Sequence, residues 1–166
     1  APGSSFKPIS SIASLEEKVL DLSTVIDCTG KYEEVTPNIR CWIWPSHHGN
    51  ETLVDGIKNS CNYFFADLGH RLATDAEGNY NAELGMERIR KYASDFGLNE
   101  KSGIELDEAE PRISDYDPER SAMGQGNHAF NTAQLAKYIT AVANGGNLYN
   151  LSIVDKIADP KGKTVE

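Results

Sequence analysis

Apolar positions recur at helical spacing in several stretches of this chain and lose all period between them. At the start, Phe6, Ile9, Ile12, Ala13 and Val19 share one side while Glu16, Glu17 and Lys18 take the other, which predicts an amphipathic helix. From Glu51, the apolar residues Leu53, Val54 and Ile57 predict a short helix, and Tyr63, Phe64, Ala66, Leu68 and Leu72 predict a second. Asn59-Ser60-Cys61-Asn62, a run of poor helix formers, marks the joint between them. A further helix is expected from Ala82 to Phe96, stopped by Gly97, and another opens at Thr132 and ends at Asn144-Gly145-Gly146.

The intervening segments read differently. Residues 21–50 carry no sustained period and are punctuated by Gly30, Pro37, Pro45 and Gly49, so an irregular segment is expected. Residues 73–81 are polar turn material, and Asn99 to Glu119 is an acidic loop too short of apolar residues to enter a core. The tail, Ser152 to Ala158 and Lys163 to Glu166 about an Asp159-Pro160-Lys161-Gly162 turn, reads as a β-hairpin. The expected fold is mainly α with a C-terminal β-hairpin.

Size and charge narrow the classes. A chain of 166 residues is most simply one domain with room for a sizeable core. A net charge of −9 without a basic cluster argues against nucleic acid or an anionic membrane surface as partner. The longest apolar runs, such as Tyr63-Phe64-Phe65-Ala66, are far too short to span a bilayer. With no initiator Met, and with its candidate nucleophile at residue 4, the chain is expected to be a piece of something longer. Cys28, Cys41 and Cys61 are too few for a disulfide scaffold.

The candidate chemistry begins with Ser4 and Lys7. On a helix they share a face, and a lysine desolvated in a pocket can act as the base that a serine nucleophile needs. An N-terminal turn also offers unpaired N–H groups and a positive dipole end to a developing anion. The plainer alternative is a serine N-cap beside a solvated lysine. Ser60-Cys61-Asn62 is the one Ser-x-Asn in the chain. Its serine could pass a proton and its amide could hold a peptide backbone, or the run could simply be a polar turn.

These motifs fall within a wider resemblance. Pro2-Gly-Ser-Ser-Phe-Lys-Pro8 resembles the Pro-Gly-Ser-Thr-Phe-Lys signature of high-molecular-weight penicillin-binding transpeptidases. His48-Gly49 followed by Asn59-Ser-Cys-Asn-Tyr-Phe64 resembles their His-Gly and Ser-Cys-Asn block. Phe96-Gly-Leu and Ser102-Gly-Ile-Glu-Leu106 resemble a further pair of blocks, and Gly124-Gln-Gly126, Thr132-Ala-Gln-Leu-Ala136 and Ala143-Asn-Gly-Gly146 are similar to the last set. The order is the family's, the coverage is nearly complete, and the class B branch is the most similar. Lys163-Thr164-Val165 departs from the pattern: it is not the family's Lys-Thr-Gly element, which would follow Glu166.

The resemblance implies the helical lobe of the α/β transpeptidase fold, residues 1–166 forming a partial domain without its flanking strands and Lys-Thr-Gly strand. It implies that Ser4 attacks a terminal D-alanyl carbonyl of a peptidoglycan stem peptide and that Lys7 takes its proton. Ser60, with Lys7, would relay that proton to the leaving group. Asn62 would hold the donor amide, and Gly124, Gln125 and Gly126 would line the substrate. β-Lactams would acylate Ser4, and no cofactor is needed for this chemistry. Implied partners are the remainder of the domain and the cell-wall synthesis machinery, at the extracytoplasmic face of the membrane and anchored by a membrane helix outside this chain. A β-lactam sensor domain of the same fold is the alternative reading.

Cys28, Cys41, His47 and His48 lie within 21 residues, a grouping similar to zinc spacing though without a Cys-x-x-Cys. A Cys28–Cys41 disulfide and unpaired packed thiols are the competing readings. Clostridial class B relatives carry a similar Cys…Cys-Trp…His-Gly stretch that holds zinc, which would make Cys28, Cys41 and His48 (or His47) the ligands here. Asp27 is a candidate fourth, and Cys61 is expected to pack. The role would be structural.

Overall fold

The computed structural model describes residues 1–165; Glu166, the last residue of the expected tail hairpin, lies outside them. A 3-10 turn, Gly3–Phe6, runs directly into α1, Lys7–Glu16. Pro8 is accommodated because it sits in the first turn of α1, where its missing N–H has no helical acceptor to lose. Phe6, Ile9 and Ala13 are fully buried, as their spacing predicts.

Residues 21–50 are not irregular throughout. They form two small antiparallel pairs, β1 (Ile26–Cys28) with β4 (Gly49–Glu51) and β2 (Lys31–Tyr32) with β3 (Ile39–Arg40). Strands of two or three residues are too short for alternation to register, and Cys28 pairs with Gly49 across a long stretch of chain. The outer pair nevertheless fixes what matters for the site: it brings residues 26–28 against 49–51.

Helix α2, Leu53–Lys58, starts on a capping box formed by Thr52 and Asp55. Helix α3, Asn62–Leu72, follows after a three-residue joint, and the thiol of Cys61 accepts the Phe64 N–H at its N-terminus. Helix α4, Ala82–Asp95, is capped by Asn81, and α6, Thr132–Ala143, by a box of Asn131 and Gln134.

The acidic loop is also revised. Its end folds into α5, Pro118–Ala122, capped by the carboxylate of Asp117. This short helix lies in the core rather than outside it. Glu119 is 2% exposed, and its carboxylate is held by His70 Nδ1 at 3.0 Å and the Tyr80 hydroxyl at 3.3 Å. Five residues give no readable period, although Asp117-Pro118 is a helix-start signal.

Two apolar clusters meet along α3. Phe64, Phe65 and Leu68 pack with the strand region, including Cys28, Cys41 and Cys61. Leu72 packs with Phe6, Ile9, Met86, Ile89 and Tyr138. The tail is pared down from the expected hairpin to a turn closed by one bridge, Ala158 to Thr164, with Val165 N–H donating to the Ile157 carbonyl at 2.8 Å.

At Gly69, α3 and α5 approach closely: a Cβ there would lie 2.3 Å from the Pro118 carbonyl oxygen. Gly69→Ala should therefore cost about 1–3 kcal/mol of stability by overpacking. Glu87→Ala, on an exposed face of α4, should stay within about 0.5 kcal/mol. Urea denaturation of the two variants checks this, and an unchanged midpoint for Gly69→Ala would mean the helices can separate freely.

Candidate active site

Ser4 sits on the 3-10 turn, exposed, and the turn is fixed from several sides. Gly3 N–H donates to the Gly124 carbonyl at 2.9 Å, Tyr138 Oη donates to the Ser5 carbonyl at 2.7 Å, and Phe6 is buried below. Lys7, one turn later, points inward and is only 2% exposed.

At the far side of the cleft stands the α2–α3 joint. Lys7 Nζ donates to the Ser60 carbonyl at 2.8 Å, to Ser60 Oγ at 2.9 Å and to Asn62 Oδ1 at 3.0 Å. Ser60 Oγ in turn lies 2.9 Å from Ser4 Oγ. The sequence places Lys7 directly beside Ser4. The structure instead links them through Ser60, whose hydroxyl is hydrogen-bonded to both groups. Ser60 holds this position with φ at +51°, a left-handed conformation that costs a non-glycine residue free energy and is retained only where its surroundings impose it.

Burial lowers the Lys7 pKa to about 8, against a partial upward pull from Cys61, Cys41 and Glu51. The amine is thereby brought within reach of neutrality at physiological pH, which an exposed lysine is not.

A cavity of about 390 Å³ opens over this array, lined by Gly3, Ser4, Trp42, Asn59, Ser60, Asn62, Met123 and Gln125. A larger one, about 490 Å³ and lined by His70, Tyr80 and Glu119 among others, contains none of these groups. Of the expected substrate-lining loop, Gln125 reaches the cavity. Gly124 supports it from behind, where a Cβ would fall 1.9 Å from the Gly3 carbonyl oxygen at a φ of +81°. Gly126 packs against Ser114 and Ser121 and does not line the cavity. Trp42 was not anticipated; its indole N–H donates to the Asn59 carbonyl at 2.9 Å and its ring forms an exposed wall.

His128 is a second residue that pattern reading missed. Its Nδ1 accepts from Ser114 N–H at 3.0 Å and its Nε2 lies 3.1 Å from the Ser121 carbonyl, so the neutral tautomer with the proton on Nε2 satisfies both. The ring also lies tilted against Phe6, their centroids 4.3 Å apart, tying the 113–128 segment to the nucleophile turn.

The sulfur and imidazole groups converge beside the joint. One donor atom from each of Cys28, Cys41, His48 and Cys61 lies within 4.8 Å of all the others. His48 Nδ1 is 3.7 Å from Cys28 Sγ and 3.5 Å from Cys41 Sγ, and Cys41 Sγ is 3.7 Å from Cys61 Sγ. Tetrahedral zinc with bonds of about 2.3 Å to sulfur and 2.0–2.1 Å to nitrogen requires ligand separations near 3.8 Å and 3.6 Å. The three separations match these values, and the chemistry of the donor set suits zinc. This placement bears on three readings. The fourth donor is Cys61 and not Asp27, because strand alternation turns Cys28 inward and leaves Asp27 exposed. Of the two histidines, His47 is exposed and His48 faces the sulfurs. The three cysteines are free, so the Cys28–Cys41 disulfide is not formed.

Solved structures with this architecture include penicillin-binding transpeptidase domains. The chain superposes on penicillin-binding protein A of Mycobacterium tuberculosis, solved as an imipenem acyl-enzyme complex, with a TM-score of 0.82 at 20% identity, covering 99% of this chain and 37% of that one. The D,D-transpeptidase domain of a peptidoglycan glycosyltransferase from Eggerthella lenta gives 0.80 at 20% identity, covering 100% and 42%. PBP2 of Helicobacter pylori, solved in complex with MreC, gives 0.79 at 22% identity, covering 96% and 30%. The fold is thus that of a penicillin-binding transpeptidase domain, of which these residues make up a part.

Sequence comparison carries the assignment from fold to family. The family model described as the penicillin binding protein transpeptidase domain matches residues 1–166, and stage V sporulation protein D of Bacillus subtilis is 33% identical over 170 residues. This chain belongs to the penicillin-binding protein transpeptidase family, in its class B branch. It covers 24% of the length of the Bacillus subtilis relative.

Burial lowers the His128 pKa from 6.5 to about 4. The unfolded chain therefore binds the additional proton first, and stability falls as pH drops below about 6.5. His128→Gln should remove on the order of 2 kcal/mol of the stability difference between pH 7 and pH 5. Denaturant melts of both proteins at the two pH values test it; equal acid losses would show that His128 carries no part of this dependence.

Proposed function

We propose that this chain carries the nucleophile half of a serine D,D-transpeptidase that cross-links peptidoglycan stem peptides and is acylated by β-lactams. The observation that carries the reading is the continuous link from Ser4 Oγ through Ser60 Oγ to Lys7 Nζ, each step 2.9 Å. With Lys7 neutral, the two hydrogen bonds reverse: Ser4 donates to Ser60 and Ser60 donates to Lys7. As Ser4 Oγ bonds to the penultimate D-alanyl carbonyl carbon, its proton moves to Ser60 and that of Ser60 to the amine. The same relay, run backward, delivers a proton to the departing D-alanine nitrogen as the C–N bond breaks. An acceptor amine then attacks the acyl-enzyme, and Ser4 recovers its proton. Asn62, held by Lys7 through Oδ1, keeps its amide N–H₂ for the donor peptide. Gln125 and the Trp42 wall close the cleft over it. Such chemistry acts on cell-wall substrate outside the cytoplasm alongside other synthesis proteins. No helix among the described residues is long and apolar enough to cross a membrane.

Cys28, Cys41, His48 and Cys61 would hold a structural zinc. It would supply a cross-link between the strand region and the start of α3 and no activated water.

The kinetic test uses the longer protein that carries the complete domain. Its acylation by a fluorescent penicillin should rise with pH through about 8, as Lys7 loses its proton and becomes able to accept one. Ser4→Ala should not label. Lys7→Arg keeps the charge but cannot deprotonate in this range, and should lose roughly a hundred- to ten-thousandfold in rate. An arginine variant near wild type would make Lys7 a fixed charge and end the relay.

Elemental analysis tests the metal. About one equivalent of zinc is expected, lost in Cys28→Ser and Cys61→Ser but kept in Asp27→Asn and His47→Asn, and chelation should lower the melting temperature. Zinc lost in Asp27→Asn, or absent from the wild type, would overturn the assignment.

A further inference from the structure

Ser60, whose hydroxyl is hydrogen-bonded to both Ser4 and Lys7, stands where a helix often ends on glycine. Helix α2 closes at Asn59. Beyond it the Ser60 N–H donates to the Ile57 carbonyl at 3.1 Å and the Cys61 N–H to the Gly56 carbonyl at 3.0 Å, the paired bonds of a Schellman motif. That motif puts one residue in the left-handed region, and here it is Ser60, with φ at +51°. Glycine takes this conformation freely and serine does not, so something must keep the serine in it.

The strained residue has a simple way out. Turning over the Asn59–Ser60 peptide changes ψ of Asn59 and φ of Ser60 together and takes the serine out of the left-handed region. Both ends of that peptide are held against the turn. Its N–H end is held by Ile57, within the motif. Its carbonyl is one that a helix terminus leaves without an intrahelical donor, and it takes the indole N–H of Trp42 at 2.9 Å. The next peptide is held likewise, by the Cys61 N–H bond and by Lys7 Nζ, 2.8 Å from the Ser60 carbonyl. Apart from Lys7 itself, Trp42 is the side chain among the described residues that grips a peptide flanking Ser60. It does so from the cavity wall, with its ring 63% exposed.

We propose that Trp42 is the positioning residue for Ser60: its indole N–H fixes the Asn59–Ser60 peptide and so keeps the Ser60 hydroxyl between Ser4 and Lys7. The proposal deepens the relay reading above and rests on it. With the donor removed, the peptide turns over, the serine leaves its left-handed conformation, and Oγ swings off the line from Ser4 Oγ to Lys7 Nζ. The nucleophile turn keeps its place, because Gly124 and Tyr138 hold it from the other side. The loss therefore falls on proton transfer and not on ligand binding.

Stopped-flow acylation of the longer protein by a fluorescent penicillin separates initial binding from the limiting acylation rate. Trp42→Phe keeps an aromatic wall and removes the donor, so the limiting rate should fall about ten- to a hundredfold with the initial Kd within about threefold of wild type. Benzothienylalanine at position 42, which keeps the bicyclic shape and replaces the N–H by sulfur, should show the same loss, and it decides if Trp42→Phe does not fold. In Ser60→Ala, already slow, Trp42→Phe should cost less than about twofold more, whereas a structural role unconnected with Ser60 costs as much in either background. Bound metal should be unchanged in Trp42→Phe. Wild-type rates without the indole N–H, a loss in Kd alone, an equal loss in the Ser60→Ala background, or a loss of metal that routes the effect through Cys41 would each overturn the proposal. Ser60→Ala acylating at the wild-type rate would instead remove the relay beneath it.

Discussion

The buried amine of Lys7 is the constraint around which the site is built. An ammonium group removed from water must be given acceptors, and all three that it finds belong to the joint between α2 and α3. That requirement draws Ser60 and Asn62 toward α1 and accounts for a left-handed serine at the joint. It also lowers the pKa of the amine toward neutrality, because the acceptors only partly offset the lost hydration. The same burial that endangers the fold thus makes a base of a residue that is ordinarily always charged.

The joint is held in turn by elements that look unrelated to it in the sequence. The β1–β4 pair brings Cys28 and His48 together, and the β2–β3 region brings Cys41. Cys61 closes the group from within the Ser-x-Asn motif itself, and also caps α3 through its sulfur. On the other wall, α5 packs against α3 through Gly69, and Ser10 Oγ ties α1 to the Ala122 carbonyl at 2.7 Å. The Gly124 turn then passes directly over Gly3. Each wall of the cleft is therefore set by packing some distance from the reacting atoms.

What could be read in the sequence followed physical length scales. Helices α1, α3, α4 and α6 each run ten residues or more, enough turns for apolar spacing to show, and α4 and α6 are capped by asparagines, a side chain with a known preference for that place. Strands of two or three residues and the five-residue α5 fall below that scale. The acidic look of residues 99–119 misled for a related reason. Glu119 enters the core because His70 and Tyr80 meet it there, and neither is near it in the chain.

For the site, the chemical groups were legible along the chain: a serine and lysine one turn apart, a Ser-x-Asn run between two helices, thiols and imidazoles within a short span. These depend on local spacing, which a chain carries with it. How the groups are joined came from the folded arrangement: that Ser60 stands between Ser4 and Lys7, that Cys61 and not Asp27 faces His48, and that Glu51 reaches Asn59. Strand alternation, helix packing and the cost of a buried charge choose among contacts that spacing leaves equally open, and they act only once distant segments have met.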